Sequence, residues 1–183
     1  LARLDLIRGA QRSIDIQTYI YDEDDAGHLV LDELLTAARR GVKVRVLVDQ
    51  LAAMRHVDPL TALSAAHVNF EMRLYNPVLG RARFSYPMYA FATICCFRRL
   101  NQRMHNKLMV VDDLVAITGG RNYQDDYYDW SPKFNFRDRD LLIAGPVVPQ
   151  MTRNFEAYWS APLSTPLNIG TACSAPTPQR RGR

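Results

Sequence analysis

Apolar residues along this chain recur with two periods. Between Ser13 and Tyr21, Ile14, Ile16, Thr18 and Ile20 alternate with other residues, which predicts a strand. Between His28 and Arg40, Leu29, Leu31, Leu34, Leu35 and Ala38 recur near helical spacing, and Gly41 supplies a stop. Val42 to Val48 then reads as a second strand ending at Asp49. Strand, helix and strand in that order predict a right-handed crossover and a parallel pair. Leu1, Leu4, Leu6, Ile7 and Ala10 open the chain inside a helical pattern, and Asp22 to Gly27 reads as an acidic loop.

The later elements are shorter. Leu60 to Ala66 predicts a weak helix, and Val68 to Leu74 a short strand before the turn pair Asn76-Pro77. Pro77 to Asn101 reads as a loop followed by a short helix. Lys107 to Val111 and Leu114 to Thr118 form two strands joined by Asp112-Asp113. Asp140 to Ala144 is another strand, followed by Gly145-Pro146, and Val147 to Trp159 a helix interrupted near Pro149. The expected fold is α/β, a mixed central sheet flanked by helices over residues 1–160. Residues 161–183 are rich in Pro, Ser and Thr and predict a disordered tail.

With 48% hydrophobic and 23% charged residues, the 183-residue chain excludes disordered and fibrous classes and fits one domain. A net charge of +4 admits an anionic partner without choosing among nucleic acid, lipid headgroups and membrane surface. Cys95, Cys96 and Cys173 form no C-x-x-C pattern and cannot all pair within one chain. A reduced compartment without structural zinc is expected. The chain starts without Met and inside a helical pattern, which predicts a fragment of a longer protein. The longest apolar stretch, Phe84 to Phe97, is shorter than the roughly 20 residues a membrane span needs, and predicts a core or interfacial segment.

The chemistry concentrates in His105-Asn106-Lys107 through Asp112 and in Gly119-Gly120-Arg121-Asn122. Residues two apart on a strand face the same way, so His105 and Lys107 are expected to share a pocket. A titratable imidazole beside a fixed positive charge suits an anionic substrate: lysine holds a phosphate oxygen, and histidine acts as nucleophile or proton carrier. Gly119 and Gly120 let backbone approach a ligand closely, and Asn122 adds an amide donor for a non-bridging oxygen. Asp112 has the opposite parity and begins a turn, which gives it a structural role.

A lone H-x-K is common on exposed strands. The joint spacing H-x-K-x4-D-x6-G-G, with Asn two residues later, resembles the signature of the phospholipase D superfamily. The likeness covers residues 1–160, through Leu6 to Tyr21, Gly41 to Asp49, Arg99 to His105 and Arg137 to Trp159. It is closest in kind to bacterial cardiolipin synthases of the C-type group. This resemblance implies two such motifs meeting at one site across a pseudo-twofold axis. One His becomes phosphorylated and the other protonates the leaving group. It implies His105 as nucleophile, Lys107 and Asn122 on phosphate oxygens, and Asp138 orienting His105, with Asp140 as the alternative. It implies no cofactor and no metal. The activity expected is phosphatidyl transfer or phospholipid hydrolysis on anionic phospholipid, peripheral to the cytoplasmic side of the inner membrane. The rivals are a homodimeric nuclease, for which nucleic acid would be the partner, and an inactive phosphate-binding fragment. His28, His56 and His67 have no Lys two residues later. The second motif is therefore expected from a missing C-terminal half or from a homodimer partner.

Plainer readings stand beside these. Asp22, Glu23, Asp24 and Asp25 read as a solvated loop, since the alternating ligand spacing of a calcium loop is absent. Asp125, Asp126 and Asp129 read as an acidic helix start. Tyr123, Tyr127, Tyr128 and Trp130 either pack their loop or meet substrate. Arg73, Arg81, Arg83, Arg98, Arg99 and Arg103 read as solvated arginines or as a phosphate-facing surface. Cys95-Cys96 reads as buried packing.

Overall fold

The computed structural model of the protein describes residues 1–50, 67–78 and 86–167. The chain forms α1 (Ala2–Gly9), β1 (Ser13–Thr18), α2 (Asp25–Arg39), β2 (Lys43–Asp49) and β3 (Phe70–Tyr75). It continues with α3 (Tyr86–Cys95), α4 (Phe97–Leu100), β4 (Leu108–Val111) and β5 (Val115–Gly119). A 3-10 turn (Asp125–Tyr127), β6 (Asp140–Ala144), α5 (Val148–Trp159) and β7 (Ser164–Pro166) complete it. The strands make one mixed sheet in the order β6-β5-β4-β1-β2-β3-β7. β1, β2 and β3 run parallel, as the strand–helix–strand order requires, and the remaining pairings are antiparallel.

Each face of the sheet has its own core. Ile14, Ile16, Val44, Val46, Val48, Met109 and Val111 point to one side, where Ile7 of α1 and Val30, Leu31, Leu34 and Ala38 of α2 cover them. The Asp24 carboxylate caps α2 by accepting from Gly27 N at 3.0 Å, and Gly41 leaves the helix with φ +96. Leu47, Leu108, Val110 and Ala116 point to the other side, beneath Val148, Phe155 and Trp159 of α5. Pro149 does not interrupt α5. It lies in the first turn, where no backbone N–H is needed. Arg45 fastens the helix to the sheet. Its guanidinium donates to Asp15 Oδ1 and Oδ2 at 2.6 and 2.8 Å, reaches Glu156 at 2.6 Å, and stacks over the Phe155 and Trp159 rings.

Four parts of the chain differ from the sequence reading or fall outside it. Residues 79–85 lie outside the described set, and two short helices follow where one was expected. Cys95 is exposed rather than buried, because α3 packs only lightly on the body, and its sulfur meets that of Cys96 in a vicinal disulfide. The domain continues past Ser160: Ser164–Pro166 pairs with β3, and Leu167 is buried. Backbone bonding builds such an edge strand without an apolar pattern, and Pro is tolerated at an edge. The expected weak helix over 60–66 and the tail from residue 168 onward lie outside the described residues. Among the described residues no helix is long and apolar enough to cross a membrane.

The turn between β4 and β5 is tied to the start of β1 by Asp112. Its carboxylate accepts from Gln11 N, Arg12 N and Ser13 N at 2.9, 2.7 and 2.8 Å, and the Arg12 guanidinium donates to its carbonyl oxygen. Asp112 and Asp113 both have φ near +60, a conformation aspartate tolerates better than most residues. Burial pushes the Asp112 carboxyl upward, but the three N–H donors and Arg12 outweigh it and hold the group below the usual aspartate range. Asp112→Ala is expected to destabilise the fold by on the order of 2–4 kcal/mol in urea unfolding near neutral pH. Because the folded-state pKa is depressed, this contribution is complete above the ordinary aspartate value of about 3.9. It is lost as pH falls through the lowered folded value. A difference between wild type and variant that stays constant down to pH 2 would contradict this role.

Candidate active site

Residues 101–107 approach β4 along the carboxyl ends of β2 and β3, and two buried polar side chains hold this approach. Asp49, fully buried at the end of β2, accepts from Met104 N at 2.9 Å and from Arg103 Nη1 at 3.1 Å. Asn76 follows β3 with φ +49, and its amide donates to Arg99 O and Gln102 O at 2.6 and 2.8 Å. Arg103 returns a bond to Asn76 O. The backbone is thus fixed one residue before His105.

His105 and Lys107 come together, though not by strand alternation, since both precede β4. Lys107 Nζ lies 3.2 Å from His105 Nδ1 and 3.4 Å from Nε2, and donates to His105 O at 3.0 Å. The imidazole is exposed and rests on the Tyr19 ring, with centroids 4.7 Å apart. Lys107 is buried. Burial lowers its ammonium pKa from the usual lysine value, and the charge of Asp138 partly opposes that shift. A cavity of about 400 Å³ opens beside the pair, lined also by Leu108, Thr118, Gly119, Met151 and Asn154. A larger cavity, of about 650 Å³, lies against α1 and α2 and is lined by Arg3, Leu4, Val30, Trp130 and Asp140. The smaller one contains the groups with chemistry for a phosphodiester and is the candidate site.

Of the other sequence-predicted residues only Gly119 lines this cavity, and Asp140 lines the larger one. Gly120 is required where it stands: a Cβ there would overlap the Asp138 carboxylate, at 2.0 Å from Oδ2. A Cβ on Gly119 would overlap Asp140 Oδ1 and Arg139 O. The glycine pair therefore lets both carboxylates sit directly on the end of β5. Asp138 accepts from Arg139 N and makes no hydrogen bond to the imidazole. Asp140 is taken up by Arg3 at 3.1 Å and Arg121 at 3.5 Å. Asn122 is buried, and its Oδ1 accepts from Ile20 N at 3.1 Å.

The neighbouring clusters resolve into structural and exposed groups. Asp125 accepts from Ala26 N and so caps α2 rather than its own short turn, while Asp24 accepts from Asp125 N. Tyr123 is buried against Tyr21, Tyr127 stacks on Phe136, and Tyr128 accepts from Arg3, whereas Trp130 is half exposed. Arg73 packs over Trp159 at 4.3 Å; Arg98 and Arg99 are exposed; Arg81 and Arg83 lie outside the described residues. Sequence reasoning missed Tyr19, Asp49 and Asn76 as site-building residues. For Asp49 the available signal was a carboxylate closing an apolar strand, and for Asn76 a turn residue before Pro77. Neither reveals which distant backbone it holds.

Comparison with known proteins agrees with this geometry. The family model described as cardiolipin synthase, PLD-like domain, matches residues 4–159. Cardiolipin synthase C of Escherichia coli is 38% identical over 166 residues, 91% of this chain and 34% of that protein. The chain spans about a third of the length of these curated relatives. Among solved structures, the phosphatidylserine synthase of Haemophilus influenzae superposes with a TM-score of 0.69 at 19% identity, over 92% of this chain and 36% of that one. Nuc, a phospholipase D family member from Salmonella typhimurium, gives a TM-score of 0.59 at 14% identity, over 91% of this chain and 89% of its own. With the family model covering nearly all of the described fold, this chain belongs to the cardiolipin synthase family of phospholipase D-like domains.

Proposed function

We propose that this chain is one half of a phosphatidyltransferase active site that works through a phosphohistidine on His105. The observation that carries this reading is the Lys107 ammonium within 3.2 Å of an exposed imidazole at the mouth of a cavity. A phosphate drawn to Lys107 meets the imidazole at the same place. The reading has a His105 ring nitrogen attack phosphorus as the bond to the glycerol oxygen breaks. A second histidine, from the other half, protonates the departing alkoxide. That histidine then takes the proton of the acceptor hydroxyl, whose oxygen attacks phosphorus while the P–N bond breaks. A second lipid as acceptor gives transfer, and water gives hydrolysis.

Lys107 and the amide end of Asn122 are assigned to non-bridging oxygens, the carbonyl end of Asn122 being committed to Ile20 N. Asp138 is assigned to fix the imidazole, and taking that role requires the ring to exchange its Lys107 contact for the carboxylate. Asp140 suits the role less, because Arg3 and Arg121 already neutralise it. Phospholipid as substrate rests on kinship with cardiolipin synthases, and the same kinship supports a membrane surface as the place of action.

The second half has a candidate docking face. Edge strand β6 leaves Leu141 and Leu142 66% and 63% exposed, with Trp130, Phe134 and Phe136 nearby in the chain also exposed. The Nuc match covers 89% of that chain, so one half is enough to make up nearly a whole chain. This favours a self-paired dimer as the second arrangement, beside a C-terminal half in the same polypeptide.

Three outcomes are expected. Incubated with phosphatidylglycerol and quenched, the complete enzyme carries a base-stable, acid-labile phosphatidyl adduct on His105 by mass spectrometry, and His105→Ala abolishes it. Lys107→Met lowers kcat by about 100- to 1,000-fold, the usual loss for one oxyanion donor. An adduct elsewhere, or one formed from DNA and not from lipid, would overturn the reading. The 183-residue chain, held monomeric, is expected to show negligible turnover, since it lacks one acid–base group worth roughly 100- to 10,000-fold. Sedimentation combined with an activity assay checks this. An active monomer would contradict the two-half site.

A further inference from the structure

The apolar stripe of α3 faces away from the body of the protein. Pro87, Ala90, Phe91 and Ile94 follow helical spacing and are all exposed, Phe91 at 59% and Ile94 at 87%, whereas the described buried residue of this helix is Ala92. Phe97, which begins α4, is 61% exposed. No charged residue interrupts α3. A soluble surface seldom presents large apolar side chains at contiguous helical positions without something to cover them.

The charge around the stripe is one-sided. From Met72 to Val111 the sequence contains six arginines, Lys107 and no Asp or Glu. The whole chain is only +4, so the remainder is net acidic; Arg73 and Arg103 are paired with Glu71 and Asp49, which leaves Arg98 and Arg99 as the exposed arginines of this segment among the described residues. Arg98 and Arg99 follow the stripe directly and are exposed; Arg99 Nε donates to Asn76 Oδ1 at 3.4 Å, and its exposed terminal nitrogens face no carboxylate among the described residues. An apolar helical face bordered by basic side chains is the pattern of a helix lying in the plane of an anionic membrane surface. At ten residues α3 is about half the length of a membrane span, so it lies in the interface and does not cross.

We propose that α3 and the start of α4 are the element by which this domain seats on an anionic phospholipid bilayer, with Phe91, Ile94 and Phe97 inserted among acyl chains and Arg98 and Arg99 on lipid phosphates. The inference rests on the phospholipid reading for the identity of the surface. It adds where the protein touches that surface, and why there. α4 ends five residues before His105, and Asp49 and Asn76 hold the intervening backbone. Seating this element therefore brings the imidazole to headgroup level. A nucleic acid would find no lysine or arginine along the α3 stripe itself. A second copy docked symmetrically here would bring two basic rims together, a like-charge contact that opposes pairing.

Vesicle flotation of the 183-residue protein tests this, using phosphatidylglycerol–phosphatidylcholine vesicles against pure phosphatidylcholine. The wild-type chain is expected to float with the anionic vesicles. The triple variant Phe91→Ser, Ile94→Ser, Phe97→Ser is expected to lose at least tenfold in partition with an unchanged melting curve. Arg98→Gln with Arg99→Gln is expected to lose about fivefold per arginine on anionic vesicles, equivalent to about 1 kcal/mol each. Leu141→Ser with Leu142→Ser, on the other exposed face, is expected to bind like wild type. Independently, Ile94→Trp is expected to add a blue-shifted emission that brominated lipid quenches. Wild-type protein that stays unbound, or a triple variant that floats as wild type does, would overturn the proposal. So would loss of self-association in sedimentation with flotation unaltered, which would assign the face to a second copy. Because flotation is read without turnover, a complete enzyme that carries no phosphatidyl adduct on His105 while the 183-residue chain still seats by α3 would remove the catalytic reading and leave the surface standing.

Discussion

The Asp112 carboxylate sets the register on which the rest of the site depends. It satisfies three consecutive backbone N–H groups at the entry to β1 from the far end of the β4–β5 hairpin, locking β4 against β1 with Ile14 opposite Val111 and Gln17 opposite Leu108. A slip of one residue would send the Met109 and Val111 side chains from one core to the other. Asp112, which shares the motif spacing with His105 and Lys107, therefore acts at the opposite end of the strand from them.

At the other end, the same problem is solved with buried polar groups in place of a turn. Asp49 and Asn76 grip the backbone of 99–104 so that His105 leaves a fixed point, and Tyr19 gives the ring a face to rest on. The glycine pair after β5 completes the arrangement by letting two carboxylates approach the strand end more closely than any side chain would allow. The two carboxylates differ in environment: Asp140 is bound by two arginines, and Asp138 remains beside Lys107. One is spent on holding the fold together, and the other lies near enough to Lys107 to oppose the burial-driven fall of its pKa.

Much of this was legible in the residues. β1, β2, the β4–β5 hairpin and most of α2 follow from clean periods punctuated by Gly41 and Asp112-Asp113, because local propensity and burial agree there, whereas the first turn of α2 at Asp25–Gly27 was read as loop. The pairing of His105 with Lys107 was legible from spacing, although the strand-parity argument for it was not the operative one: the two residues meet in an approach segment before β4. Asp49 and Asn76 were not legible as site residues, because each works through backbone groups of a segment more than twenty residues away. β7 was hidden by its composition, since Ser164, Thr165 and Pro166 pair through backbone without an apolar face. The helices at 86–100 were hard to read because the apolar stripe of α3 points outward, reversing the pattern from which a core-facing helix is recognised.

The central proposal is that His105 and Lys107, joined by the Asn122 amide, make up one half of a phosphate site. A crystal structure of the protein with vanadate tests it most directly. The account predicts vanadium bonded to a His105 ring nitrogen, with oxygens on Lys107 Nζ and the Asn122 amide, inside the cavity bounded by Met151 and Asn154. Vanadate bound at the Arg3–Arg121 cavity with His105 unoccupied would contradict it.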